Sequence, residues 1–337
     1  MASASYENRD DPAGDTPGVV LPGRDGLGGL GLFVCHRPAV AGTTDQTTLP
    51  VVLYVHGATF PSGLSVAYPF DGRSWAGELA AAGLDVWAFD FAGFGRSSRY
   101  PHQDADPAGI APLGRTAGAA GAGEQVVQVL EHVVGARGGG RVSLLAHSWG
   151  TIAAGLAATR RPDLVDRLVF FGPITRREQP RLPDPDGLGA WHPLTVKAQH
   201  DRFVEDVPAG HPSVLSPEHF ESWARDWLAS DPTSQTRTPP SVRTPSGPAA
   251  DILAAWSGGP AYDPHLIQSP TCIVRGEWDS LCTDTDARGL FDALDRAPLR
   301  RDVKISEGTH LMHLETSRFA LYREAETFLL AADTPGA

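Results

Sequence analysis

Cysteine is scarce in this chain of 337 residues: there are three, Cys35, Cys272 and Cys282. An odd number with no Cys-x-x-Cys spacing argues against a disulfide framework and a cysteine-built zinc site, and it predicts a reducing, cytoplasmic setting. Long apolar runs are absent as well. No stretch approaches the roughly 18 residues needed to span a bilayer, and the amino-terminal segment has no basic region leading into an apolar one. Neither a membrane partner nor a secretion signal is therefore expected. Basic side chains are in deficit, 28 Lys and Arg against 40 Asp and Glu, for a net charge of −12. Phosphate binding needs the opposite sign, so no nucleic-acid partner is expected. The histidines show no His-x-x-x-His pair, and the glycine-rich stretch 26–31 is not followed by a helix. Neither a metal nor a nucleotide cofactor is expected.

What is present is an ordinary globular composition, 41% hydrophobic and 20% charged. The length suits one large α/β domain with an insertion, or two small domains. Residues 1–17 are polar and rich in Asp, Pro and Gly, which predicts a loose tail. Beyond them, apolar runs at 30–36, 51–55, 85–90, 142–145, 167–171, 271–275 and 303–306 read as strands. Several are apolar throughout, as suits strands buried on both faces of a parallel sheet. Helical patterns at 75–82, 123–134, 151–159 and 319–330 alternate with them. The fold class is α/β, a mostly parallel central sheet flanked by helices. The alternation breaks between 175 and 269. That stretch holds many prolines, four of the eight tryptophans (Trp191, Trp223, Trp227 and Trp256) and helix-like segments at 217–229 and 249–256. Its Ser-, Thr- and Pro-rich middle, 231–248, reads as loop. The expected organisation is a core of 18–174 and 269–332 with a mainly helical cap of 175–268 inserted.

The chemistry centres on Ala146-His147-Ser148-Trp149-Gly150, which lies between an apolar strand and a helix-compatible stretch. A serine on so tight a turn projects its hydroxyl clear of the sheet, and small residues two before and two after it let strand and helix approach. With this pentapeptide, four further features resemble the α/β-hydrolase family in order. His56-Gly57 follows an early buried strand. Asp90-Phe91-Ala92-Gly93-Phe94-Gly95-Arg96-Ser97 forms an Asp-x-x-Gly-x-Gly-x-Ser loop. Gly276-Glu277-Trp278-Asp279 and Gly308-Thr309-His310 each follow a late strand. The resemblance covers about residues 30–174 and 269–330. It departs from the usual Gly-x-Ser-x-Gly in having Ala146 first.

The resemblance implies a nucleophile, Ser148, a general base, His310, and an orienting acid, Asp279. A serine hydroxyl needs such a base, and the base needs a group that fixes its tautomer and stabilises its charge. His310 is favoured over His313, because the family's histidine follows a strand-end glycine and a small residue. Asp279 is favoured over Glu277 and Asp284 by its distance from the strand end, and Phe171-Gly172-Pro173-Ile174 offers no rival carboxylate. The oxyanion donors implied are the backbone N–H groups of Trp149 and of Ala58, with Thr59 as the alternative in that loop. His56, His147, Asp90 and Ser97 read as structural.

Family members that open epoxides or displace halide generally carry aspartate at the elbow, so serine implies acyl transfer. The expected substrate is a small molecule: an ester, lactone or thioester, or an activated amide. The Ser-Trp-Gly elbow also looks like that of some aminopeptidases of the family, but the loop Ala58-Thr59-Phe60-Pro61-Ser62-Gly63 lacks their glycine- and proline-rich character. Phe60, Trp223 and Trp227 are candidates to line a medium-sized, mostly apolar site, although each could equally pack the cap onto the core. A lyase, cyclase or carbon–carbon bond-cleaving enzyme on the same fold is the alternative, and a non-catalytic ligand-binding relative a more remote one. The expected assembly is a monomer or homodimer.

Overall fold

The computed structural model describes residues 18–24, 28–40, 49–101, 103–104, 116–178 and 189–331. The expected tail, 1–17, lies outside them. Ten strands and eight helices are described. The first half of the core runs β1 (Gly18–Leu21), β2 (Leu32–Arg37), β3 (Val51–Val55), α1 (Trp75–Ala81), β4 (Asp85–Phe89), α2 (Ala119–Ala136), β5 (Val142–His147), α3 (Gly150–Arg160) and β6 (Val165–Phe171). The chain then leaves the sheet for β7 (Trp191–Thr195), α4 (Val196–Val204), α5 (Pro217–Ala229), β8 (Ser241–Pro245) and α6 (Gly247–Trp256). It returns as β9 (Thr271–Gly276), α7 (Asp284–Ala293), β10 (Arg300–Ile305) and α8 (Arg318–Leu329).

Eight strands form one sheet in the order β1-β2-β4-β3-β5-β6-β9-β10. Strands β4, β3, β5, β6, β9 and β10 run parallel in this sheet, while β2 pairs antiparallel with both β1 and β4. Every residue of β3, β4, β5 and β9 is buried, and the two-residue period of a strand divides each between two layers. Val51, Leu53 and Val55 join the cores of α2, α3 and α7 on one face. Val52 and Tyr54 join α1 and α8 on the other. Both faces are covered, so these strands read as mostly apolar without alternation, and their few polar residues, such as Asp85, Ser143 and Arg275, are buried.

β1 was not expected. Three of its four residues are exposed, so it is an edge strand held by its ladder to β2 and carries little burial signal. The insertion contains a two-stranded antiparallel sheet, with Leu194 opposite Val242 and His192 opposite Thr244. The expected loop at 231–248 is thus corrected at Ser241–Pro245. Only one residue of that strand, Val242, is a large hydrophobe. The strand forms because β7 supplies a ladder and the Asp231 carboxylate accepts the Arg243 N–H at 2.8 Å. α4 and α7 were likewise not read from the sequence. Thr195 and Thr283 cap them, but their apolar stripes are short.

A third apolar cluster joins the insertion to the core. Phe60, Leu64, Tyr68 and Phe70 come from the loop after β3, Phe203, Phe220, Trp223 and Trp227 from α4 and α5, and Leu311 and Leu314 from the loop after β10. The insertion therefore packs on two loops that follow carboxyl ends of sheet strands, where open α/β sheets place their sites. Among the described residues, no helix is long and apolar enough to cross a membrane.

Candidate active site

β5 runs directly into Ser148, whose φ is +54°. A non-glycine residue in this left-handed region costs of order 1–3 kcal/mol and persists only where its surroundings hold it. Here the Ser148 N–H donates to the Phe171 carbonyl at 3.0 Å. The Ser148 carbonyl accepts from the Thr151 N–H at 2.9 Å and from the Thr151 hydroxyl at 2.6 Å. Packing makes the turn tight: a Cβ on Gly150 would lie 2.3 Å from the His56 carbonyl oxygen. Glycine is required there, whereas Ala146 sits buried within β5 and its methyl joins the core.

The carboxyl ends of β5, β9 and β10 bring three distant residues together. His310 Nε2 lies 2.7 Å from Ser148 Oγ. His310 Nδ1 lies 3.0 Å from each carboxylate oxygen of Asp279. Asp279 Oδ1 also accepts the N–H groups of Leu281 and Cys282, both at 2.9 Å. The carboxylate side chain is fully buried. The arrangement defines the imidazole's roles: Nδ1–H donates to the acid, and Nε2 accepts from the serine hydroxyl. The competing acids lie elsewhere. Glu277 is exposed, and Asp284 forms ion pairs with Arg275 and Lys304 at the surface.

Three further histidines support the site without touching the serine hydroxyl. His56 Nε2 accepts the Phe91 N–H at 3.0 Å, so its proton sits on Nδ1 and is donated to the Gly57 carbonyl at 2.8 Å. Burial pushes His56 down to about 4, which keeps it neutral. His147 stacks on Phe171 and donates Nε2–H to the His310 carbonyl at 3.0 Å. Burial, with repulsion from His313 and His310, holds it well below the usual histidine range. His313 is fully buried, pushed down to about 3 by desolvation and then by His310. Its Nε2 meets the Ser65 hydroxyl at 3.0 Å. His313 thus belongs to the packing behind the site. Asp90 also behaves as a structural residue, its two oxygens accepting the N–H groups of Ser62 and Arg96.

The loop after β3 lies against the elbow. A Cβ on Gly57 would stand 3.3 Å from Ser148 Cβ, and Ala58 is the next residue in that loop. Trp149 precedes the first turn of α3, where backbone N–H groups have no intrahelical acceptor. Its indole is buried and donates to Asp251 of α6 at 2.9 Å, tying the elbow to the insertion. Trp223 and Trp227 are fully buried and stack on each other. Their indole N–H groups donate to the carbonyls of Leu64 and Thr59. The polar edge of each ring is therefore committed to anchoring the loop that holds Ala58. Phe60 is buried beside Trp223, Phe203 and His313.

Two contributions escaped the sequence. Gly172, after β6, has φ +53°, and a Cβ there would lie 2.9 Å from His310 Nδ1 and 3.0 Å from Asp279 Oδ2. A glycine at a strand end was the available sign. Glu315 is buried and accepts both the N–H and the hydroxyl of Thr309, the residue before His310. Burial raises its carboxyl to about 7. No local pattern marks it. Gly172→Ala should push a methyl into the Asp279–His310 pair. A shift of about 1 Å there is expected to lower kcat on p-nitrophenyl esters by about 10²-fold, with a smaller change in KM. Steady-state kinetics on folded protein would check this, and an unchanged kcat would remove Gly172 from the account.

Residues 50–317 match the family model described as the alpha/beta hydrolase fold, and the chain belongs to that family. Solved structures share its architecture. The thioesterase domain from the curacin biosynthetic pathway aligns with a TM-score of 0.59 at 19% identity, covering 94% of this chain and all of that one, 100%. Epoxide hydrolase VrEH1 from Vigna radiata aligns at 0.57 and 14%, covering 93% and 98%. The 2-hydroxy-6-oxo-6-phenylhexa-2,4-dienoate hydrolase from Rhodococcus sp. strain RHA1 aligns at 0.59 and 15%, covering 94% and 99%. At these identities the likeness is one of fold. No curated protein matches the chain by sequence. Among the described residues, no group of three or more His, Cys, Asp or Glu is placed to hold a metal ion.

Proposed function

We propose that the protein is a serine hydrolase that cleaves an ester, lactone or thioester, or an activated amide, through an acyl-enzyme. The observation that carries this is the continuous chain from the Ser148 hydroxyl to His310 Nε2 at 2.7 Å and from His310 Nδ1 to Asp279 at 3.0 Å. Ser148 Oγ attacks the acyl carbon while His310 Nε2 takes its proton. Asp279 holds the Nδ1–H and stabilises the imidazolium that forms. The negative charge on the former carbonyl oxygen is received by the backbone N–H groups of Trp149 and Ala58. Collapse breaks the bond to the leaving group, which takes the proton from His310 Nε2. Water then gives a proton to the same nitrogen as it attacks the acyl carbon. The second collapse releases the carboxylic acid and returns the proton to Ser148.

Residues 175–268 serve as the cap over this chemistry. The substrate is of medium size and mostly apolar; Phe60, Trp223 and Trp227 are buried with Phe203 in this structure and bear on it by packing the cap against the loop beside Ser148. A fluorophosphonate probe is expected to label Ser148 stoichiometrically in folded protein, and p-nitrophenyl esters should give a burst of one nitrophenolate per chain. Absence of both would favour a non-catalytic ligand-binding role.

A further inference from the structure

The face of α4 that meets the core is apolar except at one place. Val196, Gln199 and Phe203 follow one another at helical spacing, and Val196 and Phe203 pack with Phe60, Trp223 and Leu311. Gln199 lies between them, fully buried, and neither its amide nitrogen nor its amide oxygen has a hydrogen-bond partner. Buried amides are nearly always paired, because a lost partner leaves the full desolvation cost uncompensated. One turn further along, Arg202 Nε is also sealed from solvent without a partner. The adjacent acid, Asp201, pairs with Lys197 instead. Glu205 and Asp206 attract the guanidinium, yet neither forms an ion pair with Arg202 among the described residues. Glu205 is exposed, and Asp206 accepts the Ser280 N–H at 3.3 Å. Across the small sheet, Thr244 is buried with its hydroxyl unpartnered, opposite His192. Phe203, the residue after Arg202, packs in one cluster with Phe60 and with Leu311, which follows His310 in the chain, so α4 meets the loop that carries His310.

A guanidinium offers only donors, in a planar fork that matches a carboxylate, and an amide nitrogen beside it adds to the same set. We propose that Arg202 and Gln199 form a subsite for a carboxylate carried by the acyl substrate at the end remote from the reacting carbonyl. This deepens, and rests on, the serine-hydrolase reading.

The test compares mono-p-nitrophenyl adipate and suberate with p-nitrophenyl hexanoate and octanoate, using the full chain. The expected ratio of kcat/KM, acidic over neutral at equal chain length, is about tenfold or more in favour of the acid. In Arg202→Met and Gln199→Leu that ratio should fall by about tenfold, mainly through KM of the acidic ester. Gln199→Glu, which places a carboxylate beside Arg202, should lose the preference while keeping the cation paired. It serves if the apolar variants do not fold. A ratio near one in the wild type, or unchanged in all three variants, would overturn the subsite. If no ester of either kind is turned over, the hydrolase reading fails instead. The subsite is then read by calorimetric binding of monoethyl adipate against ethyl hexanoate to Ser148→Ala protein. Equal binding of the two would sink it, and preferential binding lost in Arg202→Met would support it.

Discussion

Ser148→Ala is expected to lower kcat on p-nitrophenyl esters by about 10³-fold or more. The Ser148 hydroxyl bonds His310 and takes no part in holding the turn. The turn is held by the Ser148 N–H and carbonyl and by Gly150. Removing Oγ therefore takes away the bond-forming atom and leaves the backbone intact, so the melting temperature should change little. Residual catalysis should persist from the backbone donors and binding, as it does in serine enzymes stripped of one member of the set. The same variant separates the two chemistries open to this fold. An acyl-enzyme route cannot survive the substitution. A lyase, cyclase or carbon–carbon bond-cleaving reaction that uses His310 only as an acid or base could, and retained activity on the natural substrate would favour that alternative.

Asp279→Asn should be as severe, lowering kcat by about 10³- to 10⁴-fold. Asp279 Oδ1 already accepts two backbone N–H groups, from Leu281 and Cys282. An asparagine must keep its oxygen on that side, which turns its NH₂ toward His310 Nδ1. The imidazole then accepts at Nδ1 and carries its proton on Nε2, facing Ser148, where it cannot act as a base. The acid's shape and most of its hydrogen bonds remain, so the loss should appear in kcat with KM changed far less. A fall in kcat of less than about tenfold would mean that Asp279 does not orient the base. Gly172, pressed against the same pair, has the opposite character: it contributes by having no side chain at all.

Much of this site was legible because its parts lie at strand ends, where the local sequence changes character abruptly. Val142 to His147 is buried throughout, and the switch to Ser148-Trp149-Gly150 marks the turn. Gly276 and Gly308 mark two more such ends, and each is forced by close approach: a Cβ on Gly276 would lie 2.1 Å from the Gly308 carbonyl oxygen. What stayed hidden depends on partners far away in the chain. β8 carries no apolar period, because it is held by β7 and by the Asp231 carboxylate. Glu315 looks like a surface residue in sequence and is buried against Thr309. Trp223 and Trp227 looked equally suited to lining a pocket or packing a cap. Their N–H bonds to Leu64 and Thr59 fasten the cap to the loop beside the serine.

By itself the sequence determined the α/β class, the alternation of strands and helices and which residues are expected at the site, since backbone period and side-chain chemistry are local properties. The tertiary structure decided which of them meet. Bringing Ser148 within 2.7 Å of His310, across 162 positions, is the work of parallel β5, β9 and β10 ending on one side of the sheet. The same holds for the unpartnered amide of Gln199: only the packing of α4 on the core turned an ordinary polar residue into a buried one.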